Sequence, residues 1–123
     1  MTLRLIRTAA FAAPLLFPAP LLLAATGAQA HAHLVKAAPA ENATVAAPQT
    51  LNLQFSEKLE GKFSGADLMK ADGTPVAVKS TAADKAITAV PAQPLTPGAY
   101  MVMWHVVSTD GHKMKGQYDF TVQ

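Results

Sequence analysis

Four histidines and one aspartate carry most of the chemistry open to this 123-residue chain. His112 ends the tripeptide Asp110-Gly111-His112. In an extended segment, residues two apart point to the same side with Cα atoms roughly 6.5 Å apart. The carboxylate and the imidazole are therefore expected to be able to share one ion. His31 and His33 stand in His31-Ala32-His33, directly after Gly27-Ala28-Gln29-Ala30. Ala28 and Ala30 form the small-residue A-x-A pattern that signal peptidase requires. Cutting after Ala30 gives His31 a free α-amine beside its own imidazole, and that pair chelates a metal through a six-membered ring. An internal histidine cannot do this. Amine, imidazoles and carboxylate make a nitrogen-rich set containing oxygen. A tetragonal set of that kind favours Cu(II), which also heads the affinity order of the first-row divalent ions.

The segment ahead of the cut fits this reading. Arg4 and Arg7 precede an apolar run from Ala9 to Ala25 that contains Pro14, Pro18 and Pro20. The run is about as long as the shortest spanning helix, roughly 17–25 residues, but no basic cluster follows it as a stop-transfer flank. Residues 1–30 are expected to be a cleaved signal peptide and residues 31–123 the secreted mature domain, not membrane-spanning. Removing the leader takes away both arginines, leaving eight lysines against eight acids and a formal charge of zero. The basic balance of the precursor thus says nothing about nucleic acid, and no basic patch remains to argue for it. The chain has no cysteine, which excludes thiolate catalysis, zinc fingers and copper sites built on a cysteine sulfur.

The elements that must position these groups read as strands. Leu34 to Ala38 forms a first strand, stopped by Pro39. Leu51, Leu53 and Phe55 alternate with polar residues, the period of a strand with one buried face. Phe63–Lys70 and Pro75–Lys79 flank Asp72-Gly73, a strong hairpin signal because glycine tolerates positive φ. Ala86 to Val90 follows, and then the rigid turn Pro94-Leu95-Thr96-Pro97-Gly98. The longest strand, Ala99 to Ser108, connects through Thr109-Asp110-Gly111-His112 to a last strand at about Gly116 to Val122. No window supports a helix beyond one turn at Glu57–Gly61. An all-β, seven-stranded Greek-key sandwich or barrel is expected, in one domain.

The other histidines are less determined. As the third mature residue, His33 has three readings: an amino-terminal chelate with the amine and two deprotonated amides, an additional ligand of the folded site, or an exposed strand histidine. On the long strand, Tyr100, Val102, Trp104 and Val106 share one face, expected to enter the core around Trp104. Met101, Met103, His105 and Val107 share the other. Thioethers there would suit a soft ion, but methionine more often packs, and packing is the expectation for Met101, Met103 and His105.

From His31 to Gln123 the chain resembles the periplasmic CopC/PcoC family of copper-resistance proteins, especially its short YobA-like members. The resemblance rests on His31-Ala32-His33-Leu34, Pro39-Ala40-Glu41-Asn42, Leu53-Gln54-Phe55-Ser56-Glu57 and Leu95-Thr96-Pro97-Gly98-Ala99-Tyr100. It rests above all on Trp104-His105-Val106-Val107-Ser108-Thr109-Asp110-Gly111-His112-Lys113, followed by Gly116. It implies a copper-binding immunoglobulin-like or cupredoxin-like β domain whose Cu(II) ligands fall on His31 (amine and imidazole), Asp110 and His112. It also implies a CopD-type inner-membrane copper importer as partner. Some members carry a Cu(I) loop of Met-x-Met and Met-x-x-Met repeats. That pattern is missing from this sequence, and the resemblance implies no second copper site here.

The expected function is a monomeric, non-enzymatic Cu(II) carrier serving copper homeostasis. Two other classes compete with it. One is a copper-dependent oxidative enzyme with a histidine-brace-like site, disfavoured because a coordinated carboxylate stabilises Cu(II) over the Cu(I) that oxygen activation needs. The other is a metal-free secreted β-sandwich interaction module, which the fold alone would permit but which leaves a histidine at the cleavage site unexplained.

Overall fold

The computed structural model describes residues 31–123, with Pro14 alone ahead of them, so the expected signal peptide lies outside the described residues. Among the described residues nine strands run in chain order: β1 (Leu34–Ala38), β2 (Thr44–Val45), β3 (Leu51–Phe55), β4 (Gly65–Lys70), β5 (Pro75–Val76), β6 (Val78–Ala83), β7 (Ala86–Pro91), β8 (Gly98–Val107) and β9 (Lys113–Val122). One 3-10 turn, Gly61–Phe63, precedes β4. The strands form a four-stranded sheet, β1-β3-β7-β6, and a five-stranded sheet, β2-β9-β8-β4-β5. The result is a sandwich rather than a closed barrel, and two of its strands are additional to the seven expected.

The period-two pattern places the core. Leu51, Leu53 and Phe55 on β3 and Ile87 and Ala89 on β7 face Tyr100, Val102 and Val106 on β8 and Tyr118, Phe120 and Val122 on β9, all buried. Tyr100 and Phe120 stack at 5.6 Å in the middle of this layer. Trp104 is only partly buried and packs edge-on against Phe55 at 5.1 Å, at the margin of the core rather than at its centre. The indole needs an opening in the next strand, and Gly116, directly opposite on β9, supplies it.

Two hairpins fall where glycine permits. Gly73 (φ 88°) turns β4 into β5, with Leu68 opposite Val76. Gly111 (φ 90°) turns β8 into β9, which pair along their full length from Val107–Lys113 to Gly98–Val122. The second turn holds Asp110 and His112.

Candidate metal centre

The first residues of the domain and the β8–β9 turn meet at one end of the sandwich, and the segment Ser56–Glu60 ties them together. At the start, the Ser56 amide donates to the His33 carbonyl (3.0 Å) and the His33 amide donates to Ser56 Oγ (3.1 Å). Ala32 between the two histidines is fully buried. At the turn, Thr109 N donates to the Lys58 carbonyl (3.1 Å), Glu60 N donates to the Val107 carbonyl (2.7 Å), and Leu59 bridges to Ser108. One short segment therefore fixes both partners, although they lie about eighty positions apart in sequence.

His31 and His112 stand in contact, their rings edge to face at a centroid distance of 4.7 Å. His112 Nδ1 lies 2.9 Å from Asp110 Oδ2. Asp110 and His112 lie in the connection expected between the last two strands, and not on an extended segment. They belong to a turn closed by Gly111 N donating to the Ser108 carbonyl and Ser108 N donating to the His112 carbonyl. The turn brings the side chains into direct contact, closer than strand geometry would.

Ser108 completes the arrangement. Its side chain is buried, and its hydroxyl donates to Asp110 Oδ1. This hydrogen bond, followed by that from His112, holds the Asp110 carboxyl down to about 2. Asp110 is therefore anionic at any pH at which imidazole can bind a metal. In this metal-free arrangement the carboxylate engages His112 Nδ1, and Nε2 is the ring nitrogen left free. Both side chains remain near half exposed, 46% for His112 and 45% for Asp110, so an ion can reach them from solvent.

Ser108 carries a signal the sequence reading passed over: a serine two residues before an aspartate, at a strand end, is a common local hydrogen-bonding pattern. Ser108→Ala is expected to raise the Asp110 carboxyl toward its ordinary value. It is also expected to weaken metal binding by roughly 10–100-fold, as loss of an outer partner typically does. In the metal-free protein the lowered carboxyl stabilises the fold above its ordinary value of 3.8, a contribution lost as pH falls through about 2. A carboxyl titration of wild type and variant by NMR reads the shift directly, and coincident midpoints would contradict the role of Ser108.

His33 is exposed, and its Nδ1 lies 3.0 Å from Ser56 Oγ. Ala32 is buried, and the His33 amide, one of the two that an amino-terminal chelate must deprotonate, is hydrogen-bonded to Ser56 Oγ. His105 is exposed on the outer face of the five-stranded sheet. Among the described residues, no group of three or more His, Cys, Asp and Glu side chains is gathered around one point. The described set is instead two contacts sharing His112, one to His31 and one to Asp110. An amine released at residue 31 would add a donor that the uncut chain, with a peptide bond there, does not have. No helix among the described residues is long and apolar enough to cross a membrane.

Residues 34–123 match the model of the CopC domain family. The chain is 48% identical over 99 residues to Protein YobA of Escherichia coli (strain K12), covering 76% of this chain and 80% of that one. It superposes on the crystal structure of PcoC, a methionine-rich copper resistance protein from Escherichia coli, with a TM-score of 0.70 and 40% identity. That match covers 76% of this chain and all of PcoC. A 98-residue stretch is 30% identical to part of Copper transport protein CutJ of Bacillus subtilis (strain 168), covering 76% of this chain but only 18% of that longer protein.

Proposed function

From the premise that the chain belongs to the CopC family, we propose that it is a periplasmic copper carrier. In this reading it binds one Cu(II) through the His31 amine and imidazole, Asp110 and His112. The observation that carries it is the contact of His31 with His112, 4.7 Å between ring centroids, beside an Asp110 carboxylate 2.9 Å from His112 Nδ1. Cu(II) suits the donors because two imidazoles, an amine and a carboxylate form a borderline-hard N/O set with no sulfur. The ion is cargo. It clips the start of the domain to the last hairpin and stabilises the native state by mass action. His33 Nδ1 is hydrogen-bonded to Ser56 Oγ, which leaves Nε2 free to join.

Delivery to a CopD-type inner-membrane importer, with the carrier acting as a monomer and not as an enzyme, is the part of the proposal that concerns traffic. The delivery step is supported by the similarity to a stretch of the longer Copper transport protein CutJ, where a domain of this kind forms part of the same chain as the remainder of a transport protein.

The test is a Cu(II) titration of the protein beginning at His31, run against a competing chelator. One equivalent is expected to bind. His112→Ala should weaken it by about 100-fold or more, since multivalent attachment is worth 10²–10⁴ over single contacts. His33→Ala should have a distinctly smaller effect. Tight binding that survives His112→Ala and disappears in His33→Ala would replace the folded site with a chelate of the amino-terminal tail.

A further inference from the structure

The outward face of the five-stranded sheet carries three of the chain's five methionines. Met69 on β4 lies directly opposite Met101 on β8, and Met103 follows two residues later on the same face. Opposed residues hold their Cβ atoms about 4.5–5.5 Å apart, and same-face neighbours along a strand are about 6.6 Å apart. Methionine has three rotatable side-chain bonds, so three thioether sulfurs can converge on a single point above Met101.

Packing, the expectation for Met101 and Met103, does not account for the three methionines. The core lies on the other face of β8, with Tyr100, Val102 and Val106. Met114 packs against that core, whereas Met69, Met101 and Met103 neither belong to it nor pack against it. A sheet face turned to water is ordinarily polar, and here the same sulfur-bearing side chain interrupts it at three adjoining positions. Around them the face is hydrophilic. Asp119 stands opposite Met101, while Asp67 and Gln117 flank Met103. His105 follows Met103 on this face with Lys115 opposite it, while the carboxylates Asp67 and Asp119 stand opposite Met103 and Met101 themselves. Neutral thioethers beside those carboxylates suit a soft cation.

We infer that Met69, Met101 and Met103 form a second metal site, for a soft monovalent ion such as Cu(I) or Ag(I), independent of the centre at His31 and His112. Met103 is five residues from Ser108, roughly 17 Å at the rise of a strand, too far for one ion to be shared. The two sites also differ in their response to acid. Thioethers carry no proton at any ordinary pH, whereas amine and imidazole must lose one to bind. The methionine site therefore keeps its ion under conditions that empty the histidine centre.

The experiment is a titration of the domain beginning at His31 with Ag(I) at pH 5, observed through the methionine methyl signals by NMR. At one equivalent the methyls of Met69, Met101 and Met103 are expected to shift and that of Met114 to stay. The triple variant M69L/M101L/M103L keeps side-chain volume, and such swaps usually cost under about 1.5 kcal/mol. It should lose Ag(I) affinity by roughly tenfold or more while its Cu(II) affinity is unchanged. Ag(I) binding should persist in His112→Ala, which separates this site from the Cu(II) reading. Shifts confined to Met114, the absence of a saturable shift near equimolar Ag(I), or undiminished affinity in the triple variant would overturn the assignment.

Discussion

Leaving one residue ahead of His31, so that Ala30 remains joined to it, is expected to abolish tight Cu(II) binding while the fold stays intact. The extension turns the α-amine into a peptide amide and opens the six-membered ring that amine and imidazole close on the ion. His31, Asp110 and His112 would then act as separate single-point ligands. Connecting two contacts on one residue is worth on the order of 10²–10⁴ in affinity, so a drop of at least about 100-fold is expected on the same scale. Competition titrations on the two forms, with circular dichroism to show equal folding, make the comparison. Equal affinities would mean that the amine is not a ligand and that export processing plays no part in assembling the site. A metal-free interaction module would be indifferent to the extension, so the same pair of proteins also tests that reading.

Gly116→Ala is expected to destabilise the domain strongly. A Cβ at Gly116 would stand 2.7 Å from Trp104 Cε2 and closer still to Cζ2. Both atoms belong to a rigid indole that packs edge-on against Phe55. The ring cannot yield by rotating a flexible tip. It must leave its place or push β9 away from β8, and overpacking of this kind costs about 1–3 kcal/mol, occasionally more. In a domain of this size each kcal/mol moves Tm by roughly 4–8 °C, so a fall on the order of 10–20 °C is expected from the upper part of that range. The single Trp104 reports the displacement in its emission spectrum. A Tm within about 2 °C of wild type, against the 4–8 °C that one kcal/mol would produce, would show that the indole has room the packing does not reveal.

The strands legible in the sequence were those with a dry face and a wet one. Leu51, Leu53 and Phe55 alternate without interruption, and all three are buried. Asp72-Gly73 and Asp110-Gly111 marked two hairpins because each contains a glycine at positive φ. Two strands escaped. Thr44–Val45 is two residues long and exists through its parallel pairing with Thr121 and Val122, which no local pattern announces. Val78–Ala83 was expected only as far as Lys79. It lies at a sheet edge, paired to β7 alone, so Lys79, Ser80 and Thr81 are exposed in succession and the period of two is lost. Closure into a barrel or separation into two sheets depends on which edges pair, and a single sequence does not encode that locally.

The candidate site divides in the same way. A histidine directly after an A-x-A pattern and Asp110-Gly111-His112 are visible as residue types in a chemically suggestive order. Their meeting is not visible, because the contact between His31 and His112 depends on the link through Ser56–Glu60. The residue types suggested one shared ligand set, and the family resemblance assigned it to His31, Asp110 and His112. The methionine face shows the same limit. Met101 and Met103 could be placed together from strand alternation, but Met69 joins them only once the register of β4 against β8 is known.

The central claim is that one Cu(II) sits among the His31 amine and imidazole, His112 and Asp110. Continuous-wave EPR of the domain beginning at His31, loaded with one equivalent of Cu(II) and compared with the His112→Ala form, tests it most directly. The account expects a single tetragonal species with nitrogen-rich parameters and coupling to two imidazoles, converted by His112→Ala into a weaker or heterogeneous signal. A spectrum unchanged by that substitution, or one showing a single imidazole and deprotonated amide nitrogens, would contradict it.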